Sequence, residues 1–339
     1  VGPRDTHVLV PIDSSNVNLA IDVPEAARNA RLASSSEGIH AESCKKSSAR
    51  ADLGGQMSED EKVAHLNDLH RAFPFKGYID KTEHRAISLR QLWQVLHFVA
   101  RRCHRWYDKR SESLLSVRHV NLYQVNEWVI LPSTQPNNCA FIELLSALDQ
   151  MPLWFVSHWW GEPILEFVRC LERHVTVRAL ADDVLYWICA YANRQHSLSQ
   201  EVTVDPRESS FFKAMQIAVG VLLVLDDLAT PFTRIWCAFE ESVALTYTEN
   251  RGSPMLLDVA SCHNGNPQLI TDGNTQIERQ KEASLGDGGS AMLGMSSVAL
   301  QIKTQREMHF PLDVICKGLE VVLESAQASQ EADRVHILN

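Results

Sequence analysis

The sequence predicts an α/β fold in which a parallel sheet is flanked by helices. Between residues 152 and 260, short apolar runs alternate with amphipathic stretches in the order β-α-β-α-β-α-β. The runs at 184–190 and 219–225 are apolar almost throughout, which is typical of strands buried on both faces. Strands that alternate with helices favour a parallel sheet, because each helix carries the chain back to the edge where the next strand begins.

Each element of this region has its own local signal. Gly161 and Pro163 mark the turn after the first strand, and Pro163 suits the first turn of a helix. Ser209 is a candidate N-cap for the second helix. The predicted strands are residues 153–157, 184–190, 219–225 and 254–259, and the helices between them are expected to begin near residues 164, 210 and 235.

The N-terminal part of the chain divides into two kinds of sequence. Residues 1–57 are rich in Ser, Ala, Gly and charge without periodicity, so we expect a disordered leader. Ser58 and Glu61 have the spacing of a capping box and predict the start of a helix. A longer amphipathic helix is predicted over 88–107. We therefore expect residues 58–150 to form a helical region beside a main domain at 151–262.

The C-terminal part has weaker patterns. Residues 284–297 are rich in Gly and Ser but lack the glycine spacing of a phosphate-binding loop, so 263–297 is predicted to be a flexible loop. Helices are expected again over 298–339, the last of them from Ser329. The first residue is Val rather than Met, so we expect the sequence to be a fragment or a processed chain.

Composition excludes several classes of function. The net charge of −10 over 339 residues argues against a nucleic-acid-binding surface, which needs a basic face. The eight cysteines are scattered without a CxxC pair, which favours a reducing, cytoplasmic compartment over a disulfide framework. No apolar run approaches the roughly 18–20 residues of a membrane span, so no membrane segment is expected.

The candidate site comes from two polar corners at the ends of predicted strands. WFVSHWWGE begins at Trp154, and LLVLDDLATPFTRIWCAFEE ends at Glu241. Open α/β sheets bind ligands at the carboxyl ends of their strands, so both corners are expected at one edge. Glu240 lies four residues after Trp236 and therefore shares its helix face.

These strings resemble the TIR domain superfamily over about residues 152–260. Trp236-Cys237-Ala238-Phe239-Glu240 is similar to the Trp-Cys-x-x-Glu string that marks the helix after the third TIR strand. The Ser-aromatic-x-Trp-Gly corner at 157–161 also resembles the fungal heterokaryon-incompatibility (HET) domain, which is TIR-like. The resemblance implies a TIR-like, flavodoxin-like sheet, with helical segments added at both ends of the chain.

The same resemblance implies an activity. Many TIR domains cleave NAD at the nicotinamide–ribose bond with the Glu of this string, which corresponds to Glu240. A carboxylate beside the ribose stabilises the positive charge that develops as an N-glycosidic bond breaks. NAD is then a substrate, and no metal or cofactor is expected. TIR enzymes usually act after self-association, so the resemblance also implies a homotypic oligomer. The side chains expected to bind or position NAD are Ser157, His158, Trp159, Trp160, Arg234 and Trp236.

Other interpretations stay open at the level of sequence. Cys189 stands where many relatives place an acidic residue, and two tryptophans follow His158 where plant TIR domains have charged residues. Glu241 is the alternative carboxylate if the register shifts by one residue, and a Cys237–His158 hydrolase is a further possibility. Many TIR domains only bind other TIR domains. The alternative function is therefore a non-catalytic module that self-associates.

Overall fold

The computed structural model describes residues 58–108, 111–201, 203, 205–249, 252–284 and 297–320. The predicted leader at 1–57 and the predicted helix from Ser329 lie outside the described residues. No helix within the described ranges is long and apolar enough to cross a lipid bilayer.

The architecture is a six-stranded mixed sheet with helices on both faces. The strands are β1 (Ile87–Ser88), β4 (Trp154–His158), β5 (Leu185–Trp187), β6 (Gly220–Leu225), β7 (Leu256–His263) and β8 (Asn266–Ile270); a separate ribbon joins β2 (Tyr107–Asp108) to β3 (Ser113–Leu114). The order across the sheet is β1-β5-β4-β6-β7-β8. The four inner strands are parallel, whereas β1 and β8 are antiparallel edges. The α/β prediction is confirmed at this level.

The helices connect and flank these strands. In chain order they are α1 (Glu59–Ala72), α2 (Leu89–Arg102), α3 (Leu122–Val125), α4 (Leu131–Thr134), α5 (Ile164–Arg178), α6 (Cys189–Ala192), α7 (Leu198–Glu201), α8 (Ser210–Ile217), α9 (Ile235–Thr246), α10 (Gln276–Ser284), α11 (Val298–Glu307) and α12 (Leu312–Leu319). The capping box of Ser58 with Glu61 and the N-cap at Ser209 are both confirmed. The predicted helix over 88–107 ends earlier, at Arg102, and continues as one 3₁₀ turn.

Side chains alternate between the two faces of the sheet and create two cores. Trp154 and Val156 of β4 face α5, in a core that also contains Phe167. Phe155, between them in sequence, faces the opposite side and packs with Phe212 of α8. This alternation follows from the two-residue period of a β-strand. It also separates Ser157 from His158, the next two residues of β4.

The close contact of β4, β6 and β7 requires a glycine at the start of β6. A Cβ atom at Gly220 would lie 2.5 Å from the Trp154 ring and 2.8 Å from the carbonyl oxygen of Leu256. Both distances are shorter than van der Waals contact. Gly220 therefore allows the Trp154 indole to lie across the amino end of β6.

Two parts of the predicted sheet differ from the structure. Strand β5 ends at Trp187, and Cys189 begins the short helix α6, although the apolar run suggested strand as far as residue 190. A short apolar run does not by itself distinguish a strand from a buried helical turn. Strand β8 and helix α10 occupy residues that we assigned to a flexible loop. The hairpin signal was Asn264-Gly265, which have φ angles of +52° and +76° and form the turn between β7 and β8.

The N-terminal region contributes directly to the α/β domain. Ile87 and Ser88 form β1, which pairs with Tyr186 and Leu185 of β5. Side chains from α1 and α2, including Leu69, belong to the same apolar core that covers the α5 face of the sheet. Residues 58–150 are therefore bound to the sheet through backbone hydrogen bonds as well as through packing.

A buried arginine connects this region to more distant parts of the chain. Arg85 is 1% exposed, and its Nη1 donates a 2.9 Å hydrogen bond to Glu201 of α7. Its Nε and Nη2 both donate to the carbonyl oxygen of Ile79, and Nε lies 3.6 Å from the fully buried carboxylate of Glu143. A buried ion pair of this kind is costly to break, because the remaining charge keeps its desolvation penalty.

We expect Arg85→Met to lower the free energy of unfolding by about 3–5 kcal/mol, because Glu201 loses its partner inside the protein. Urea denaturation measures this change. Arg71→Met is the matched control, since the Arg71 side chain is 80% exposed and lies 3.7 Å from Asp68. The control should change the free energy by less than about 0.5 kcal/mol. Equal small effects in both variants would contradict a structural role for the buried network.

Candidate functional site

The candidate site lies at the carboxyl ends of β4 and β6. Strand β4 comes first in the chain among the parallel strands, and the next strand, β5, lies on one side of it. Strand β6, which follows β5 in the chain, lies on the other side of β4. The connections on the two sides of β4 therefore leave in opposite directions and open a crevice beyond the strand ends. Ser157 and His158 end β4 here, and Asp226 follows β6.

Glu240 of α9 is buried at this edge. Its side chain is 4% exposed, and it faces Ser157, which is 1% exposed. Burial raises the pKa of Glu240 to about 8, the Ser157 hydroxyl opposes this shift, and the charge of Glu241 increases it. Ser157 Oγ is buried and makes no hydrogen bond of full geometry. The two polar groups therefore meet in a dry environment without strong partners.

The position of Glu240 in α9 explains its burial. The inward face of this helix consists of small and apolar residues, Ile235, Cys237, Val243 and Ala244, and Glu240 occupies the centre of that stripe. The hydrophobic pattern calls for an apolar residue at this position. A carboxyl group at a core position is a local conflict of the kind that proteins retain at functional sites.

Glu241 is a second carboxyl group with a similar property. Burial raises the pKa of Glu241 to about 8, although its side chain is only half-buried by surface area. Its Oε1 atom is buried and has no hydrogen-bond partner. Within the described part of the chain, no basic side chain forms an ion pair with Glu240 or Glu241. Burial therefore favours the protonated form of both groups.

Two cysteines and a tryptophan complete the surroundings of Glu240. Trp160 Nε1 lies 3.2 Å from Cys189 Sγ and donates to it. Burial raises the pKa of Cys189 to about 12; the Trp160 N–H opposes this shift and the charge of Glu240 adds to it. Cys237 Sγ lies 3.8 Å from the carbonyl oxygen of His158. Ser157, Cys189 and Cys237 thus lie near the carboxyl group, and neither thiol is prepared as a nucleophile.

Aromatic rings continue from this cluster along α8 and α9. Trp236, which is half-buried, stacks on Phe211 with a centroid distance of 5.1 Å and an interplanar angle of 20°. Phe211 also contacts Trp187 edge-on at 5.4 Å. Phe211 was not a candidate from sequence, although it follows the Ser209 cap closely. Phe211 and Trp236 are both half-buried, so each ring keeps part of its apolar surface accessible near the start of α9.

The structure does not bring all the candidate residues together. His158 points to the α5 face, where its ring lies 4.5 Å from the Phe167 ring. Burial lowers the pKa of His158 to about 4, and its Nε2 atom has no hydrogen-bond partner. His158 and Glu240 therefore lie on opposite sides of β4. Trp159 is half-buried and lies against Gly161, and Arg234 is the half-buried N-cap residue of α9.

Glu162 is a further buried carboxyl group that sequence reasoning did not single out. It is 4% exposed, and its Oε2 atom has no hydrogen-bond partner. Burial, and then the charge of Asp226, raises the pKa of Glu162 well above its ordinary value. The sequence contains a signal for this residue, because Glu162 directly follows the Trp-Trp-Gly corner. Asp226 itself forms a turn, because its carboxylate accepts from Thr230 N at 2.6 Å and Thr230 Oγ1 at 2.7 Å.

Metal binding and similarity to other proteins give no further assignment. Among the described side chains, no group of three His, Cys, Asp or Glu residues is placed to hold a metal ion. Comparisons of the chain with family models, with curated proteins and with solved structures found no significant match. The geometry of the strand ends and the chemistry of their side chains therefore carry the functional argument.

We expect Glu240→Gln to stabilise the protein at alkaline pH. The pKa of Glu240 is about 8 in the folded state, against 4.5 for an ordinary glutamate. The folded state therefore binds more protons between these values, and stability falls as pH rises from about 4.5 through 8. Gln does not titrate and removes this loss. The change in the free energy of unfolding caused by Glu240→Gln should therefore be about 1–3 kcal/mol more favourable at pH 8 than at pH 5.

Urea denaturation at pH 5 and pH 8 measures this difference. Glu59→Gln is the control, because the Glu59 side chain is 85% exposed and should show no comparable dependence on pH. An effect of Glu240→Gln that is equal at both pH values would show that Glu240 titrates normally in the folded protein.

Proposed function

We propose that this protein is a TIR-like domain that hydrolyses NAD, or a related nucleotide, at its N-glycosidic bond. The observation that carries the proposal is the carboxyl group of Glu240, which is buried at the carboxyl ends of β4 and β6 and has no ion pair among the described side chains. The strand order β5-β4-β6-β7 supports it, because flavodoxin-like sheets have this order and bind ligands beside their first and third strands. Trp236 and Glu240, which carry the resemblance to TIR domains, lie on one helix at this place.

The reaction is a substitution at the ribose carbon. The bond between C1′ and the nicotinamide nitrogen breaks, and its electron pair stays on the nitrogen, so the pyridinium cation leaves as neutral nicotinamide. The Glu240 carboxylate stabilises the positive charge that develops at C1′ and the ring oxygen. The oxygen of a water molecule then bonds to C1′ and releases a proton. The products are ADP-ribose, nicotinamide and a proton, and no acid is needed to protonate the leaving group.

The raised pKa of Glu240 suits a cationic substrate. Without ligand, burial keeps the carboxyl group neutral and avoids an unpaired charge in the protein interior. A pyridinium ring beside it favours the carboxylate and lowers the pKa of Glu240 in the complex. The charge is then present at the moment when the glycosidic bond breaks. The pyridinium loses its positive charge as positive charge develops on the ribose. A cationic group therefore stays near the carboxylate throughout the reaction.

The other residues of this edge have supporting roles in the proposal. The Ser157 hydroxyl faces Glu240 and is placed to orient its carboxyl group. Trp236 and Phe211 are half-buried rings that suit the planar parts of a dinucleotide. Arg234 precedes α9, where its cationic side chain and the positive end of the helix dipole favour a phosphate. His158 has no direct role, because it lies on the other face of the sheet.

A non-catalytic, self-associating module is the competing function. One observation favours it, since Glu240 and Ser157 are only 4% and 1% exposed and a substrate must displace whatever covers them. An interaction module needs no opening of this kind. Glu240 forms no salt bridge with any side chain in the described ranges, and this weighs against it, because an interaction module gains nothing from an uncompensated carboxyl group in its core.

We expect the wild-type protein to release nicotinamide from NAD and Glu240→Gln to lose about 10²–10³-fold in kcat, because the ribosyl cation loses its electrostatic partner. Chromatographic detection of nicotinamide and ADP-ribose, under conditions that promote assembly, measures both. Glu241→Gln tests the neighbouring carboxyl group, and Glu172→Gln is the control. Glu172 is also half-buried with a pKa raised by burial, but it lies on α5 and accepts from Trp93.

The outcomes separate the two functions. Equal release by wild type and Glu240→Gln would remove Glu240 from the mechanism, and loss in Glu241→Gln alone would transfer the role to its neighbour. Release by none of the folded proteins would favour the interaction module.

We expect kcat/KM for NAD to rise with pH and to level off above about pH 8. The reason is that the active form of Glu240 is the carboxylate, and its pKa in the free protein is about 8. Glu241→Gln should move this apparent pKa downward, because the charge of Glu241 helps to raise the pKa of Glu240. Initial rates between pH 5.5 and 9.5, at low NAD concentration, give the profile. A profile that falls over this range would contradict a catalytic carboxylate.

A further inference from the structure

The loop after β4 is held by a segment from the N-terminal region. Leu122 N donates a 2.9 Å hydrogen bond to the carbonyl oxygen of Trp160, and Ile164 N donates one of 2.9 Å to the carbonyl oxygen of Val120. Asn121 forms an isolated bridge with Pro163 between these two bonds. The segment therefore pairs with the loop over most of its length, although it precedes β4 by some thirty residues in sequence.

This pairing places two aromatic rings in a row that ends at the Glu240 cluster. Tyr123, which is 36% exposed, lies 5.6 Å from Trp160 with an interplanar angle of 57°. On its inner side, the Trp160 indole N–H contacts Cys189 Sγ at 3.2 Å. The Cys189 thiol lies near the Glu240 carboxyl group. Trp160 thus connects the partly exposed Tyr123 ring to Cys189, the neighbour of the buried carboxyl group.

The Trp160 ring packs against the edge of the core on the α5 side, but its hydrogen bond to Cys189 and its contact with Tyr123 are both weak. A thiol is a poor hydrogen-bond acceptor, and rings tilted by 57° share little stacked surface. Rotation of the indole away from Cys189 therefore breaks no strong hydrogen bond. Its backbone, by contrast, is fixed by the bond from Leu122. The side chain can move while the loop stays in place.

We propose that Trp160 and Tyr123 form an aromatic gate over Glu240, and that the planar, positively charged base of the substrate binds against these two rings when the gate opens. The proposal rests on the proposed function and deepens it, since it names the part of the nucleotide that is recognised. A cationic ring is attracted to the faces of Trp and Tyr. Oxidised nicotinamide nucleotides have such a ring, whereas reduced ones do not. Tyr123 becomes a specificity residue that the N-terminal region supplies to the site.

Thiol labelling tests the gate without any need for catalysis. Trp160→Phe removes the N–H that contacts Cys189, and Tyr123→Ala removes the outer ring. We expect both substitutions to increase the rate at which iodoacetamide alkylates Cys189 by at least about fivefold. Mass spectrometry of the peptide that contains Cys189 measures this rate. The exposed Cys316 is the internal reference. Trp93→Phe and Tyr78→Ala are matched controls, since Trp93 Nε1 donates to Glu172 and the 54% exposed Tyr78 packs on Phe75 elsewhere.

Ligand binding tests recognition. Tyr123→Ala should weaken binding of NAD to the catalytically impaired Glu240→Gln protein about tenfold, with little effect on the already weaker binding of NADH. Tyr123→Phe keeps the ring and should recover most of the affinity. Isothermal titration calorimetry with the full chain measures these constants, and wild-type hydrolysis rates are measured in parallel.

The results distinguish the gate from the function on which it rests. Faster labelling of Cys189 and weaker binding of NAD, without hydrolysis by the wild type, would support the gate and sink the proposed hydrolase. Hydrolysis with unchanged labelling of Cys189 and unchanged affinity in Tyr123→Ala and Trp160→Phe would overturn the gate alone. Equal weakening of NAD and NADH would overturn recognition of the positive charge.

Discussion

The alternation of side chains along β4 is the constraint on which the rest of this edge depends. Because β4 is central and buried on both faces, Ser157 and His158 must enter different cores. Ser157 meets α9 and gives Glu240 a polar neighbour, whereas His158 packs under α5 against Phe167. A shift of one residue in register would exchange these environments. The pairing of β4 with both β5 and β6 prevents such a shift, so the surroundings of Glu240 follow from the sheet itself.

The protein treats its buried charged groups in two different ways. Arg85 has a complete set of partners, including Glu201 and the carbonyl oxygen of Ile79, so its charge is compatible with full burial. Glu240 has no ion pair within the described residues, and its pKa rises instead, so that burial favours its neutral form. The first arrangement stabilises the fold, whereas the second makes the fold sensitive to pH. A group that is neutral by burial becomes charged when a cation arrives, and this property separates a site residue from a structural ion pair.

The parts of the fold that sequence predicts are those with strong local signals. Ser58 fits its capping box, and the apolar run of β6 fits a strand buried on both faces. The spacing from Trp236 to Glu240 likewise places both residues on one helix. The face to which His158 points could not be predicted, because it depends on the exact end of β4 and on which helix covers each side. Glu162 stood in a recognised string, but its burial depends on α5 and on the turn at Asp226, which are distant in sequence.

The sequence places the N-terminal region beside the main domain, but its local patterns do not show how the two are joined. Its helices have ordinary amphipathic patterns, and nothing in them indicates that residues 120–123 pair with the loop after β4. Contacts of this kind are formed by backbone N–H and C=O groups, which nearly every residue has. They therefore leave no specific signal in the sequence. The consequence is physical, since the loop that carries Trp160 would lose two backbone hydrogen bonds without this segment. The α/β sheet positions Glu240, whereas the loop that carries Trp160 is positioned by the sheet together with the N-terminal region. The folded unit therefore extends beyond residues 152–260.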